Sequence, residues 1–362
     1  MSGLGKLRVA VIGAGAAGLC AARHLLSRPD TFAPPVVYEL SKNIGGTWVY
    51  EERVGYYDSG LPIHSSMYRD LRTNIPKEVM SFPDFPFAKH LPSFVHHTEV
   101  RKYLKQYCDH FHLWDHIQFG TSVASVTPVD VKDGWNGLAW NVNSNNGVDH
   151  SKSTTERFDA VMVCNGHFYD PYIPAIPGLE KFKGCPFLTL YKTFLLCKVN
   201  QRNLTSLKPS TCVLGSKIPL KCISQISLTS LLHLQIVSSL FSQSQFILSV
   251  LDGSFRLPSR EEMEKDIELD ITARRARGIA TRHILKLDSE QWAYNDELAR
   301  LGGFKPLPRY WSNLYESNKV FRARDMLNYK TYNYTVLDNM EWKVHDLHGQ
   351  QLQKPLAVKI QM

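Results

Sequence analysis

The stretch Leu7-Arg-Val-Ala-Val-Ile-Gly-Ala-Gly-Ala-Ala-Gly18 decides the fold of this 362-residue chain. The apolar run over 7–12 predicts a buried parallel strand, and the helical spacing of apolar residues over 19–26 predicts a helix after the glycines. Strand, glycine loop and helix in this order are the context that a dinucleotide-binding loop requires. The sequence therefore predicts an α/β domain whose first turn holds a pyrophosphate at a helix N-terminus.

Each position of this loop has an expected role. Gly13 allows the tight turn, Gly15 lets the backbone approach the phosphates, and Gly18 lets the helix pack closely on the strand. Ala16 and Ala17 lie at the start of the helix, where backbone N–H groups have no intrahelical acceptor. We expect those amides and the positive end of the helix dipole to face the pyrophosphate.

A second apolar run predicts the next strand of the same unit. It is Pro34-Pro-Val-Val-Tyr-Glu39, and its acid follows the last glycine by about 20 residues, where the ribose-binding carboxylate is found. Glu39 would disfavour a 2′-phosphate, so FAD or NAD is expected at this site rather than NADP. The alternative is a glycine turn in an unrelated α/β domain, and the register of strand, helix and acid favours the dinucleotide site.

Composition and cysteine usage exclude several classes of function. The net charge of +8 comes from scattered Lys and Arg rather than from a basic block, so nucleic-acid binding is not predicted. The seven cysteines form no CxxC pair and have no histidine at a metal-binding spacing, which predicts reduced thiols and no metal site. The N-terminus has no targeting signal. A cytoplasmic protein is therefore expected, with the surface of the endoplasmic reticulum as the alternative.

The character of the chain changes along its length. Residues 1–184 are predicted to form the first part of the α/β domain, 185–243 an irregular junction, and 244–362 a helical, aromatic-rich part that returns to that domain. No charged residue occurs from Cys222 to Leu251, which raises the alternative of a membrane segment. Polar residues such as His233 interrupt this run, so a buried helix is favoured.

Turn and cap signals place the other elements that bear on the site. Thr98 is the expected N-cap of one helix and Ser259 that of another. Strands are expected over 117–126 and 140–143, and Ser144-Asn-Asn-Gly147 is the expected turn after them.

Several stretches of the chain resemble the flavin-containing monooxygenases, which oxygenate nitrogen and sulfur. They are, in order, Gly13-Ala-Gly-Ala-Ala-Gly18, Gly45-Gly-Thr-Trp48, Leu71-Arg-Thr-Asn-Ile-Pro76, Val163-Cys-Asn-Gly-His167, Phe182-Lys-Gly184, and the tail over 291–308. The Leu-x-Thr-Asn-x-Pro stretch is the most specific of them, and the single glycine loop is the least.

The resemblance implies a cofactor and a reaction. In the family the first loop holds FAD, NADPH reduces the flavin, and O2 then supplies one oxygen atom to an amine or sulfide substrate. Asn74 matches the asparagine beside the flavin, and Thr73 precedes it in the same motif. Gly46 and Trp48 belong to the glycine turn that is also expected at the cofactor. The alternatives are an Asx turn before Pro76 for Asn74 and core packing for Trp48.

The match departs from the family after Gly184. Leu188 stands where the family has a histidine, Lys192 stands where it has an aromatic residue, and no second GxGxxG occurs in the sequence. The resemblance thus implies a three-layer α/β, Rossmann-like FAD-binding domain in which the second, NADPH-binding domain is truncated or missing. An alternative transcript, a mis-predicted gene model or a decayed copy would each produce this pattern.

Three functions follow from these observations. The first is an FAD- and NADPH-dependent monooxygenase whose NADPH site is lost. The second is a catalytically silent flavin-binding or interaction protein. The third is another two-dinucleotide flavoenzyme such as a Baeyer–Villiger monooxygenase, against which the Leu-x-Thr-Asn-x-Pro and Gly-Gly-Thr-Trp stretches argue.

Overall fold

The computed structural model describes residues 5–53, 55–56, 63, 67–135, 138–146, 153–166, 211–213, 237–284 and 287–355. The strands in these ranges are β1 (Val9–Ile12), β2 (Val36–Tyr38), β3 (Ile117–Gln118), β4 (Thr121–Trp135), β5 (Leu138–Asn146), β6 (Ser153–Phe158), β7 (Ala160–Val163), β8 (Thr211–Val213), β9 (Asn333–Val336) and β10 (Trp342–His345). The α-helices are α1 (Ala16–Leu26), α2 (His97–His110), α3 (Val237–Leu251), α4 (Arg260–Ala276), α5 (Gln291–Gly302) and α6 (Tyr310–Arg324).

A parallel sheet with the strand order β3-β2-β1-β7-β8 carries the glycine loop. The register pairs Ile12 at the end of β1 with Tyr38 on one side and with Val163 on the other. The carboxyl ends of the three strands therefore meet at one edge, which is where ligands bind in open α/β sheets. The glycine loop and Glu39 both follow strands at this edge.

Alternate residues of β1 serve two separate cores. Val9 and Val11 belong to the main core, which α1 and α2 cover. Ala10 faces the opposite way, into a second core with Trp140 of β5 and Phe158 of β6. Since β4, β5 and β6 form an antiparallel sheet, the parallel sheet is covered by helices on one face and by a second sheet on the other. The predicted three-layer α/β fold is confirmed.

The chain returns to this sheet after the segment in which the match to the family fails. β8 pairs in parallel with β7, and α3 then packs against α1 and α5. Buried side chains such as Phe246 and Ile247 make α3 part of the main core, so the predicted buried helix is confirmed. The helix begins at Val237, ahead of the boundary expected between residues 243 and 244. Within the described ranges, no helix is long and apolar enough to cross a membrane.

One of the two predicted helix caps is wrong. α2 begins at His97, and its N-cap is His96, whose ring accepts a hydrogen bond from the backbone N–H of Thr98 (3.4 Å). Thr98 lies in the first turn instead. The Ser259 cap of α4 is confirmed, because its side chain accepts from the Glu262 N–H (3.2 Å) and the Glu262 carboxylate accepts from the Ser259 N–H (2.9 Å). The two bonds form a capping box.

Two strand boundaries also differ from the prediction. The strand expected over 117–126 is divided into β3 and β4 at Gly120, which has a positive φ of 63°. The turn expected at Ser144–Gly147 is wrong over 144–146, because β5 continues there and Ser144 pairs with Thr154 of β6. Cross-strand pairing outweighs the turn tendency of the Ser-Asn-Asn sequence.

The position of α3 in the core gives a test of the fold. Leu248 on α3 is fully buried, whereas Leu269 on α4 is 60% exposed. We expect Leu248→Ala to lower the free energy of unfolding by about 3 kcal/mol, because a cavity is left in a packed core. Leu269→Ala is the matched control and should change it by less than about 0.5 kcal/mol. Urea denaturation measures both values, and equal small losses would mean that α3 is not packed in the core.

Candidate functional site

Two glycine turns lie backbone to backbone at the carboxyl edge of the sheet. The first is the Gly13–Gly18 loop, and the second is Gly45-Gly46, which follows β2. The Gly45 N–H donates to the Ala14 carbonyl (3.0 Å), and a Cβ placed on Gly46 would lie 3.2 Å from the Cα of Gly15. The approach of the two turns is therefore limited by backbone atoms alone.

Two glycines of the loop are required by the protein's own packing. Gly13 has a positive φ of 104°, and a Cβ there would lie 2.5 Å from the Cys164 carbonyl oxygen at the end of β7. A Cβ on Gly18 would lie 1.8 Å from the Gly13 carbonyl oxygen. No side chain fits at either position, so these glycines hold α1 close to β1 and β7.

Gly15 has no such requirement within the described structure. It is the N-cap of α1 with φ −76°, a value that any residue adopts. The nearest atom to a Cβ at this position would be the Gly46 Cα at 3.6 Å, an ordinary van der Waals distance. The packing of the described residues therefore does not explain why position 15 lacks a side chain.

The N-terminus of α1 is uncapped and has no acidic residue. The helix has no side-chain cap and no Asp or Glu in its first turn. Its first intrahelical bond is donated by the Leu19 N–H to the Gly15 carbonyl (3.0 Å), so the amides of Ala16 and Ala17 precede the hydrogen-bonded part of the helix. This arrangement favours an anion at the helix end.

Glu39 lies beside the loop rather than in solvent. It is 6% exposed, and its carboxylate accepts hydrogen bonds from the Ala14 N–H (2.7 Å) and the Ser41 N–H (2.8 Å). The carboxylate thus joins the end of β2 to the glycine loop. Each of its oxygens has a second lone pair, so it can accept further hydrogen bonds from a ligand hydroxyl.

The Thr73-Asn74 turn carries a buried hydroxyl. The Thr73 N–H donates to the Val95 carbonyl (2.9 Å), but the buried Oγ1 of Thr73 has no hydrogen-bond partner among the residues that the structure describes. Asn74 is half-buried, and its carbonyl accepts from the Asn318 side chain on α6 (3.4 Å). A buried hydroxyl without a partner is costly, so this turn is suited to a polar ligand group.

Trp48 lies in the short 3₁₀ turn Gly46–Trp48. Its side chain is half-buried and packs against the main core. This contact with the core stabilises the turn that carries Gly46.

A buried ion pair next to the Asn74 turn was not predicted from the sequence. Lys77 and Glu78 are each 8% exposed in their side chains, and Lys77 Nζ lies 2.5 Å from a Glu78 carboxylate oxygen. Burial raises the pKa of Glu78, and the Lys77 ammonium opposes this. Ser93 Oγ donates to Glu78 (3.0 Å) and accepts from the Tyr334 N–H of β9 (2.7 Å). The pair therefore ties the motif to the C-terminal hairpin.

Some residues singled out in the sequence lie outside the described residues. These are His167, Phe182, Gly184, Leu188 and Lys192. In the ranges that the structure does describe, no group of three His, Cys, Asp or Glu side chains is placed to hold a metal ion.

Comparison with known proteins identifies the family. A family model described as FMO-like, flavin-binding monooxygenase-like, matches residues 6–194. The chain is 39% identical over 198 residues to flavin-containing monooxygenase FMO GS-OX4 of Arabidopsis thaliana, covering 51% of this chain and 40% of that protein. It is 38% identical over 177 residues to senecionine N-oxygenase of Tyria jacobaeae, covering 49% and 36% respectively. The chain thus spans about two fifths of the length of these relatives.

Solved structures share the fold at lower identity. S-allyl-L-cysteine S-oxygenase from Allium sativum superposes with a TM-score of 0.67 at 23% identity, over 90% of this chain and 95% of that one. Tmm from Pelagibacter sp. strain HTCC7211 gives a TM-score of 0.68 at 18% identity, over 98% of each chain. With the family model spanning more than half of the sequence, the chain belongs to the flavin-binding monooxygenase-like family.

Proposed function

We propose that this chain binds FAD across the two glycine turns. The observation that carries the proposal is Gly15, a glycine that neither backbone conformation nor internal packing requires. A pyrophosphate bound against the N-terminus of α1 would explain why position 15 is glycine, because a methyl group there would occupy the space of the phosphates. The residues assigned to the cofactor are Gly13, Gly15, Ala16, Ala17, Gly18, Glu39, Gly46, Trp48, Thr73 and Asn74.

Charge and hydrogen bonding support the orientation of the cofactor. The uncapped, acid-free start of α1 suits the negatively charged pyrophosphate. Glu39, held against the loop by Ala14, has lone pairs left for the ribose hydroxyls. The unpartnered Thr73 hydroxyl and the Asn74 carboxamide, which can donate and accept, would hold the polar edge of the flavin ring.

We infer that the reaction is the oxygenation of a nitrogen- or sulfur-containing small molecule with NADPH and O2. Bound FAD supplies the electron transfer and the activation of oxygen. The chain's own residues bind the cofactor, orient it and exclude water from it. The names of two similar proteins, senecionine N-oxygenase and S-allyl-L-cysteine S-oxygenase, support both substrate classes. In this reaction Asn74 is the residue assigned to the reacting end of the flavin.

A second candidate is a flavin-binding protein that NADPH does not reduce. Hydride delivery needs a nicotinamide site, and the sequence has no second glycine loop to build one. The five-stranded sheet nevertheless includes a strand from beyond Gly184, since β8 pairs directly with β7. This topology favours a chain that retains the flavin site without the NADPH site.

Flavin content tests the proposed FAD site. Purified wild-type protein should be yellow and show a flavin absorption band. Gly15→Ala should lose the flavin, because the methyl group crowds the pyrophosphate, while the free energy of unfolding of the flavin-free protein falls by less than about 1 kcal/mol.

Gly18→Ala is the matched control for this experiment. Its methyl group collides with the Gly13 carbonyl, so it should lower both flavin content and the free energy of unfolding, the latter by about 2 kcal/mol or more. Absorbance spectra and urea denaturation measure the two quantities. A colourless wild type, or full flavin content in Gly15→Ala, would contradict the FAD placement.

Anaerobic reduction of the flavin separates the two candidate functions. Under anaerobic conditions dithionite, which needs no binding site, should bleach the flavin band of the wild type. Under the second candidate NADPH leaves the band unbleached over minutes, because the sequence has no second glycine loop to build a nicotinamide site. Rapid bleaching by NADPH would instead support the monooxygenase and exclude the silent flavoprotein.

A further inference from the structure

Two cationic side chains approach the ring of Tyr329, and a third is hydrogen-bonded to the backbone of one of them. We name Arg72, Arg322 and Lys330 the Tyr329 cation cluster. The guanidinium carbon of Arg322 and the ammonium nitrogen of Lys330 each lie 5.9 Å from the centroid of the Tyr329 ring. Arg72 donates to the Lys330 carbonyl (3.1 Å), and Lys330 Nζ donates to the Arg72 carbonyl (3.1 Å). Arg72 comes from a chain segment far from the other two in the sequence.

The cluster is built on a fixed base. Tyr329 is 5% exposed, and its ring contacts Phe94 edge-on at a centroid distance of 5.3 Å. Arg72 donates through Nε and Nη2 to the Phe94 carbonyl (3.1 and 2.9 Å). Lys330 lies in the 3₁₀ turn Tyr329–Thr331. These contacts hold Arg72, Lys330 and the Tyr329 ring in fixed positions relative to one another.

The charge of the cluster is uncompensated. In the described part of the chain, none of its three members forms an ion pair with a carboxylate, whereas the partly buried Lys319 on the same helix as Arg322 pairs with both Asp288 and Glu316. Burial lowers the pKa of Lys330, and the charges of Arg72 and Arg322 lower it further. Asp325, which lies between Arg322 and Lys330 in the sequence, accepts hydrogen bonds from Tyr332 and Asn328. Concentrated like charge of this kind attracts an anion.

The donors that remain suit an oxyanion. Lys330 Nζ makes one hydrogen bond and has three protons. Arg322 is partly exposed, and its guanidinium makes no hydrogen bond to the described residues. A guanidinium and an ammonium that both approach one ring can each donate to the oxygens of a carboxylate, sulfate or phosphate group.

We propose that the Tyr329 cation cluster binds the carboxylate, sulfate or phosphate group of a small molecule, at a site separate from the Gly13–Gly18 loop. Arg72 directly precedes Thr73 and Asn74 in the chain. An anionic group bound here would lie next to the segment assigned to the flavin. The site itself does not depend on flavin binding.

Calorimetric titration of the full chain with sodium sulfate at low ionic strength tests the proposal, with sodium chloride as the reference titrant. The double variant Arg322→Gln, Lys330→Gln should bind sulfate at least tenfold more weakly than the wild type. Arg72 is left intact because its guanidinium holds two carbonyls. Arg324→Gln is the matched control, since this arginine is exposed on the same helix as Arg322, and it should bind like the wild type.

Gly15→Ala distinguishes the cluster from the pyrophosphate loop and should also bind sulfate like the wild type. Phosphate and acetate titrations compare the three oxyanion classes, and binding of at least one supports the site. The proposal is overturned if none binds, if the double variant binds like the wild type, if Arg324→Gln loses as much affinity as the double variant, or if Gly15→Ala abolishes binding.

A second measurement covers the case of an unfolded double variant. In wild-type protein with methyl-labelled lysines, sulfate should raise the pH at which the Lys330 signal titrates, because a bound anion stabilises the ammonium. An unchanged titration would overturn the proposal.

Discussion

The contact between the Gly13–Gly18 loop and the Gly45-Gly46 turn governs the geometry of the whole site. It consists of one backbone hydrogen bond, from Gly45 to Ala14, and of an approach between Gly15 and Gly46 that leaves no room for a closer backbone. Glu39 stabilises the same contact region, because its carboxylate accepts a hydrogen bond from the Ala14 N–H. Two of these contacts join backbone to backbone and the third joins the Glu39 carboxylate to a backbone amide, so the positions of the two turns are set mainly by main-chain geometry.

The sheet beneath this junction explains how the domain holds together around an interrupted sequence. β1 is central and buries alternate side chains in two cores, so the glycine loop starts from a fixed point. β8 and α3 come from beyond the segment where the family match fails, yet β8 pairs with β7 and α3 contacts α1. The described elements that follow that segment therefore belong to the same sheet and the same main core as the glycine loop.

The sequence predicted β1, α1, β2 and the Ser259 cap because each depends on neighbouring residues: apolar runs, glycines at fixed spacing, and a Ser with Glu three positions later. The Thr98 cap failed because α2 starts earlier than expected: the His96 ring accepts from the Thr98 N–H, which places Thr98 in the first turn of the helix. The buried Lys77–Glu78 pair was missed because adjacent charges normally indicate a solvated surface. The Tyr329 cation cluster was not foreseeable, since residues 72 and 330 meet only through tertiary structure.

The C-terminal part of the chain supports the Leu71–Pro76 motif directly. Asn318 of α6 bonds to the Asn74 carbonyl, Lys330 bonds to the Arg72 carbonyl, and Tyr334 of β9 reaches Glu78 through Ser93. None of these contacts involves a residue between 185 and 236, the part of the chain after the match to the family fails. The turn assigned to the flavin and the supply of hydride are therefore structurally separable: the residues that support the first are all present in this chain, whereas the glycine loop that the second requires is absent from its sequence.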